Sequence, residues 1–166
     1  MEYFAYGSNL CVPRLEKRDA DPTNPRTATL AGFELLFNKK SPGNSKANIR
    51  ENSNSIVYGV IFTISDNRRE GLRSAEGWPD NYQEETLHVV TVDDNQPVEV
   101  TAYIARDSKR LTDNLPPYDW YVEHILKGGR LFGFPETYLE TIESFRTLTD
   151  PDKATSTFER SYWTQN

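Results

Sequence analysis

The order of elements along this chain predicts an α+β fold. Two observations carry that prediction. Runs rich in β-branched and aromatic residues fill the first two thirds of the sequence. Clear helical spacing of apolar residues is confined to the stretch after residue 119, apart from one short segment. Residues 2–6 (EYFAY) read as a strand that stops at Gly7-Ser8-Asn9. Asp19 to Arg26, with two prolines, reads as a loop, and 27–38 (TATLAGFELLFN) as a second strand with a bulge at Gly32. The polar stretch 39–54 reads as an exposed excursion, and 55–64 (SIVYGVIFTI) as a buried strand. Residues 66–75 predict a short helix capped by Asp66, ending before Glu76-Gly77. Turn residues follow at 77–81, and 82–92 with 97–105 predict a hairpin around Asp93-Asp94-Asn95. A helix is predicted over 119–127, capped by Asp119 and stopped by Gly128-Gly129. Another is predicted over 135–146, with Pro135 at its first helical position. From about residue 149 the tail is weakly structured or packed by Phe158, Tyr162 and Trp163.

Length and composition bound the function. A chain of 166 residues with 36% apolar side chains predicts a single domain over 1–166. Lys and Arg number 19 against 25 Asp and Glu, a net charge of −6. That argues against nucleic-acid and membrane-surface partners, both of which call for a basic footprint. No apolar run is long enough to span a bilayer, and the first residues do not resemble a signal peptide. A single cysteine, Cys11, fits a reducing, cytoplasmic compartment. Two histidines, His88 and His124, leave little for a His-based metal site.

Three sets of residues are candidates for chemistry. The strand Tyr3-Phe4-Ala5-Tyr6 ends in Gly7-Ser8-Asn9, where a sharp turn points successive N–H groups into one concavity that suits a carboxylate or an oxyanion. The same residues also read as an ordinary Asn/Ser turn. Glu76 follows a predicted helix beside Ala75 and Trp78; a carboxylate against apolar walls loses hydration and becomes a better acid/base near neutral pH. It reads equally as a solvated helix end. The tyrosines Tyr82, Tyr103, Tyr118 and Tyr121 offer apolar bodies with one orienting hydroxyl, or plain core packing. Ser8 lacks the second glycine of a nucleophile elbow, and Cys11 has no base positioned beside it in sequence.

The segment Tyr3-Phe4-Ala5-Tyr6-Gly7-Ser8-Asn9-Leu10 resembles the opening signature of the γ-glutamylcyclotransferase family. The likeness continues in order through ATLAGFELLFN (28–38), Ala47-Asn48-Ile49, VYGVIF (57–62), Glu76-Gly77 with Tyr82, Pro116-Pro117-Tyr118 and Gly128-Gly129 to FPETY (134–138). It covers roughly residues 1–145. The connection Trp78-Pro79-Asp80-Asn81 between Glu76 and Tyr82 falls where spacing varies in the family, so Tyr82 matches approximately, and relatives often carry alanine at the second of the paired glycines.

The resemblance implies a small β-barrel of mixed strands with helices packed around it. It implies a reaction in which the α-amino group of a γ-glutamyl unit attacks its own γ-carbonyl, giving 5-oxoproline and a free amine. By the same resemblance Glu76 is the acid/base, and the reaction requires no metal or organic cofactor. The opening loop, Tyr3, Phe4, Ala5, Tyr6, Gly7, Ser8 and Asn9, holds the γ-glutamyl moiety, with Tyr82, Tyr103 and Tyr121 lining the pocket. The partner is a small γ-glutamyl molecule, and the chain is a monomer or homodimer. The acceptor side stays open among γ-glutamyl dipeptides, glutathione, γ-glutamyl-lysine and a pathway-specific conjugate. Two other readings stay open beside it: a non-catalytic γ-glutamyl-binding protein on the same scaffold, and a thiol enzyme built on Cys11.

Overall fold

The computed structural model describes residues 1–110 and 115–164. Its strands are β1 (Glu2–Ala5), β2 (Thr23–Ser41), β3 (Asn44–Thr63), β4 (Tyr82–Thr91) and β5 (Pro97–Ala105). They close into a barrel in the order β1–β3–β2–β4–β5. All pairs are antiparallel except β1 with β5, which meet in parallel at Tyr3 and Thr101. The helices are α1 (Val12–Glu16), α2 (Arg69–Glu76), α3 (Asp119–Leu131), α4 (Glu136–Glu143) and α5 (Lys153–Ser161). The α+β class and the mixed barrel ringed by helices are therefore as expected. None of these helices is long and apolar enough to cross a membrane.

Strand β1 is apolar at every position past Glu2, and Phe4 and Ala5 are fully buried. A strand with both faces covered has no solvent side to show alternation. The bulge at Gly32 is present: its φ is +78°, and the β2–β3 register shifts between Ala31 and Phe33.

Beyond the bulge the structure corrects the sequence reading. Residues 39–54 are not an excursion. β2 and β3 run on as a two-stranded arm closed by Pro42-Gly43, with Gly43 at φ +71° and Ser41 paired to Asn44. The arm reads as polar because one side faces solvent, where Arg50 bonds Glu34 at 2.6 Å, and the other faces a polar cavity. The segment 19–26 likewise joins β2 from Thr23 onward.

The helix boundaries shift for identifiable reasons. α3 does not stop at Gly128-Gly129 but runs to Leu131. A Cβ at position 128 would sit 2.5 Å from the Cβ of Leu10 and 2.6 Å from its carbonyl oxygen. These glycines therefore provide close approach rather than a stop: Gly128 seats α3 against Leu10 after β1, and Gly129 makes room for Phe134 and Leu139. Tyr118, not Asp119, caps α3, and Pro135 caps α4 rather than opening it. The tail is ordered as α5, with the Asp152 carboxylate accepting from the N–H groups of Ala154 and Thr155. Helix α1 was not anticipated; its sequence signal is Pro13 in the first turn.

Substituting Gly128→Ala is expected to cost about 1–3 kcal/mol by overpacking against Leu10. The check is a urea titration, with a lowered midpoint at unchanged slope; native stability would mean the α3 contact relaxes freely.

Candidate functional site

A cavity of about 300 Å³ opens where the bend after β1, the end of α2, the β2–β3 arm and α3 converge. Tyr3, Tyr6, Gly7, Ser8, Asn9, Glu76, Tyr82, Tyr103 and Tyr121 all line it. Phe4 and Ala5 do not. Phe4 instead fills the space left by Gly59, where a Cβ would meet its ring at 2.4 Å. A second hollow of about 630 Å³, beside Phe37, Phe145 and Pro116-Pro117, contains none of the candidate residues.

Glu76 reaches the cavity because of how α2 ends. Gly77 adopts φ +65°; its N–H bonds the Ser74 carbonyl at 3.0 Å, and the Trp78 N–H bonds the Arg73 carbonyl at 2.9 Å. That Schellman closure fixes the last helical residue. A side chain at 77 would be strained and would meet Asn81 Nδ2 at 2.3 Å. The carboxylate so placed is not set against apolar walls, as the neighbouring Ala75 and Trp78 led one to expect. Trp78 is 38% exposed and stacks on Arg73. Glu76 Oε1 accepts from Asn9 Nδ2 at 2.7 Å and from Arg18 Nη1 at 3.0 Å.

Asn9 ties this corner together. It is 4% exposed, donates also to the Tyr3 hydroxyl at 2.7 Å, and accepts from Arg18 Nη1 at 2.9 Å. It sits in the 3₁₀ turn Ser8–Leu10, where the Leu10 N–H bonds the Gly7 carbonyl. The N–H groups of Ser8 and Asn9 precede the turn's first internal bond. Gly7 is wedged in: a Cβ there would lie 3.2 Å from that of Ala47 and 3.3 Å from the Tyr121 hydroxyl. The Ser8 hydroxyl accepts from Arg14 Nη1 at 3.1 Å and is 6% exposed, so it is held rather than poised.

The tyrosines frame the hollow. Tyr82 donates to the Ala47 carbonyl at 2.9 Å, and the Ala47 N–H donates to Tyr121 at 3.1 Å, clamping the arm between β4 and α3. Tyr6 donates to the Tyr103 carbonyl. Burial raises the pKa of Tyr3, Tyr6, Tyr82 and Tyr121, so these hydroxyls stay neutral. Tyr103 donates to Glu84 at 2.8 Å, and Glu84 also binds Arg69 and Arg73. Tyr118 stands apart, packed on Trp120.

Sequence reasoning missed four cations that line the cavity: Arg14, Arg18, Lys39 and Lys46. Arg14 and Arg18 stand four residues apart just after the opening bend, a spacing that puts both on one side of a helical segment. Arg14 is anchored from behind by Glu159 at 2.8 Å. His124 Nε2 meets the same carboxylate at 3.0 Å, and Trp163 Nε1 donates to His124 Nδ1 at 2.8 Å. An indole can only donate, so the His124 proton sits on Nε2 and the ring is neutral, with burial lowering its pKa. Burial pushes Glu159 up, but His124 and Arg14 outweigh it and hold the carboxyl down to about 2. Cys11 is fully buried, outside the lining, and burial pushes its thiol up to about 11. A thiol so placed is a poor nucleophile.

The AIG2-like family model matches residues 56–142, which include Glu76, Tyr82, Tyr103 and Tyr121. The bovine (Bos taurus) protein named γ-glutamylcyclotransferase is 28% identical over 153 residues, spanning 86% of this chain and 77% of that protein. The human (Homo sapiens) protein of the same name is 24% identical over 148 residues, with the same coverage. A solved structure titled γ-glutamyl cyclotransferase superposes with a TM-score of 0.86 at 23% identity, covering 99% of both chains. That last likeness is one of fold.

The Glu84 cluster gives a pH signature. Hydrogen bonds from Arg73, then Arg69 and Tyr103, outweigh desolvation and hold Glu84 down to about 2. A depressed carboxyl contributes stability above its unfolded pKa near 4.5, lost as pH falls from there toward 2. Glu84→Gln is expected to lower stability at pH 7 by on the order of 1–3 kcal/mol and to flatten the acid limb over that window. Thermal unfolding from pH 7 to 2 checks it; an unchanged acid limb would contradict it.

Proposed function

The chain belongs to the AIG2-like family, and on that premise we propose that it is a γ-glutamylcyclotransferase, converting a γ-glutamyl compound to 5-oxoproline and a free amine with Glu76 as acid/base. The observation that carries this reading is the placement of Glu76 on the wall of a cavity of about 300 Å³, directly bonded to Asn9 of the bend after β1. The relatives named γ-glutamylcyclotransferase support the same family-level activity.

The chemistry asks little beyond proton handling. Nucleophile and electrophile belong to one molecule, so most of the entropy of bringing them together is already met once the chain is folded into a ring-closing conformer. The cavity's tyrosine frame selects that conformer by shape. The α-amino group enters as an ammonium, and Glu76 takes a proton from it. The freed lone pair attacks the γ-carbonyl, forming the ring C–N bond. Negative charge collects on the former carbonyl oxygen, where the N–H groups of the Gly7-Ser8-Asn9 bend stabilise it. Glu76 then returns a proton to the departing nitrogen as its C–N bond breaks. The ring nitrogen gives up its second proton, and the released amine ends as an ammonium. No water is consumed.

Arg18 and Asn9 fix one oxygen of Glu76, leaving the other for this transfer. Tyr121 and Tyr82 hold the arm rather than exchange protons, since burial keeps both neutral.

Glu76→Gln keeps the shape and the hydrogen-bond acceptor but removes the base. We expect 5-oxoproline release to fall by roughly 10²–10⁴-fold with the circular dichroism spectrum unchanged. The assay follows 5-oxoproline from a panel of γ-glutamyl compounds, and native turnover in the variant would overturn the assignment. Binding without product in the unaltered protein would favour a non-catalytic role.

A further inference from the structure

Lys39 and Lys46 are direct cross-strand partners near the tip of the β2–β3 arm, and both line the cavity. Like charges placed opposite each other on a sheet are destabilising. Here the cost is aggravated by partial burial and has no internal remedy. Among the described residues neither ammonium has a carboxylate within 4 Å. Glu76, the one carboxylate of the described lining, is taken by Arg18 and Asn9. The other lining cation, Arg14, is held by Glu159.

Each lysine instead lies over aromatic faces. Lys46 Nζ is 4.4 Å from the Trp120 ring centroid and 4.3 Å from that of Tyr121, and Lys39 Nζ is 5.4 Å from that of Tyr82. Those rings soften the repulsion and aim the two ammonium groups into the hollow. Burial, followed by Arg14 and other cations nearby, pushes Lys46 down to about 7. Among the described residues, two ammonium groups with no carboxylate within 4 Å thus face one cavity, an arrangement that suits an anion, and a bound anion favours the charged form of Lys46.

We propose that Lys39 and Lys46 form a carboxylate subsite for the departing portion of the substrate, so that the cavity selects γ-glutamyl amino acids and peptides over γ-glutamyl amines. The inference rests on the cyclisation reading above. In that reading the opening bend holds the γ-glutamyl end and Glu76 its amino group, which leaves the lysine pair for a second carboxylate. The pair acts on binding; it moves no proton in the reaction.

The test compares γ-glutamyl-alanine with γ-glutamyl-alaninamide, which differ only in that carboxylate. The native protein is expected to favour the acid by roughly 10–100-fold in kcat/KM, mostly through KM. In Lys46→Met and in the Lys39→Met/Lys46→Met double variant the preference is expected to collapse to within about threefold of unity, while Lys46→Arg restores it. Methionine keeps an apolar stem over Trp120 and Tyr121 and relieves the like-charge pair, so the variants should unfold about 2–4 °C higher. Affinity for glutaryl-alanine and its amide, neither of which has an amine with which to cyclise, reads the subsite separately from turnover. Equal binding of the two, or equal loss on both substrates with a lowered unfolding temperature, overturns the proposal while leaving the cyclisation reading intact. A preference for glutaryl-alanine in a protein that releases no 5-oxoproline overturns the cyclisation reading and keeps the subsite.

Discussion

One buried side-chain amide holds this site in register. Asn9 bonds Tyr3 of the first strand, Glu76 at the end of α2, and Arg18 beyond α1. These three groups lie far apart in sequence, and an amide with two donors and two acceptor lone pairs is small enough to serve all of them in a tight corner. Burying such a group is tolerable only when its partners are in place. The demand runs outward from there. The 3₁₀ turn at Ser8–Leu10 exists to aim Asn9 inward, Gly128 exists to let α3 sit on that turn, and Gly77 exists to stop α2 with its last carboxylate pointing at the amide.

Charge is the second organising theme. The protein is acidic overall, yet among the described residues the wall of the candidate cavity carries four cations against one carboxylate. Two of those cations are balanced from within, Arg18 by Glu76 and Arg14 by Glu159. Anchoring Arg14 gives the C-terminal helix α5 a function in the site, although it contributes no lining residue: Glu159, His124 and Trp163 form a relay of hydrogen bonds that fixes the guanidinium from behind. The remaining two, Lys39 and Lys46, face each other across the arm with no carboxylate within 4 Å among the described residues, and like charges so placed are a cost that a bound anion offsets.

Most strands were legible as β-branched and aromatic runs, their closure into a barrel followed only from the family resemblance, and the bulge was legible because Gly32 interrupts one of the runs. The candidate residues at 3, 6–9, 76, 82, 103 and 121 all line one hollow; Phe4 and Ala5 fall elsewhere because β1 is covered on both faces. The arm was misread since polarity alone does not separate a loop from a strand whose two sides face solvent and a polar cavity. A signal was nevertheless present. A turn at Pro42-Gly43 pairs residue 41 with 44 and therefore 39 with 46, which sets the two lysines opposite each other. Gly128-Gly129 misled for the opposite reason: glycine stops helices when φ turns positive, but it also lets two segments touch, and only the contact partner decides which. No spacing rule reveals that Asn9 and Glu76 meet, since their separation of 67 positions is closed by the barrel itself.

The most direct measurement is a crystal structure of the Glu76→Gln protein with γ-glutamyl-alanine bound. The account places the substrate's α-amino nitrogen within hydrogen-bond reach of residue 76, about 2.6–3.2 Å, and its γ-carbonyl oxygen against the N–H groups of the Gly7-Ser8-Asn9 bend. A substrate whose amino group lies beyond that reach, or whose γ-carbonyl points away from the bend, would contradict it.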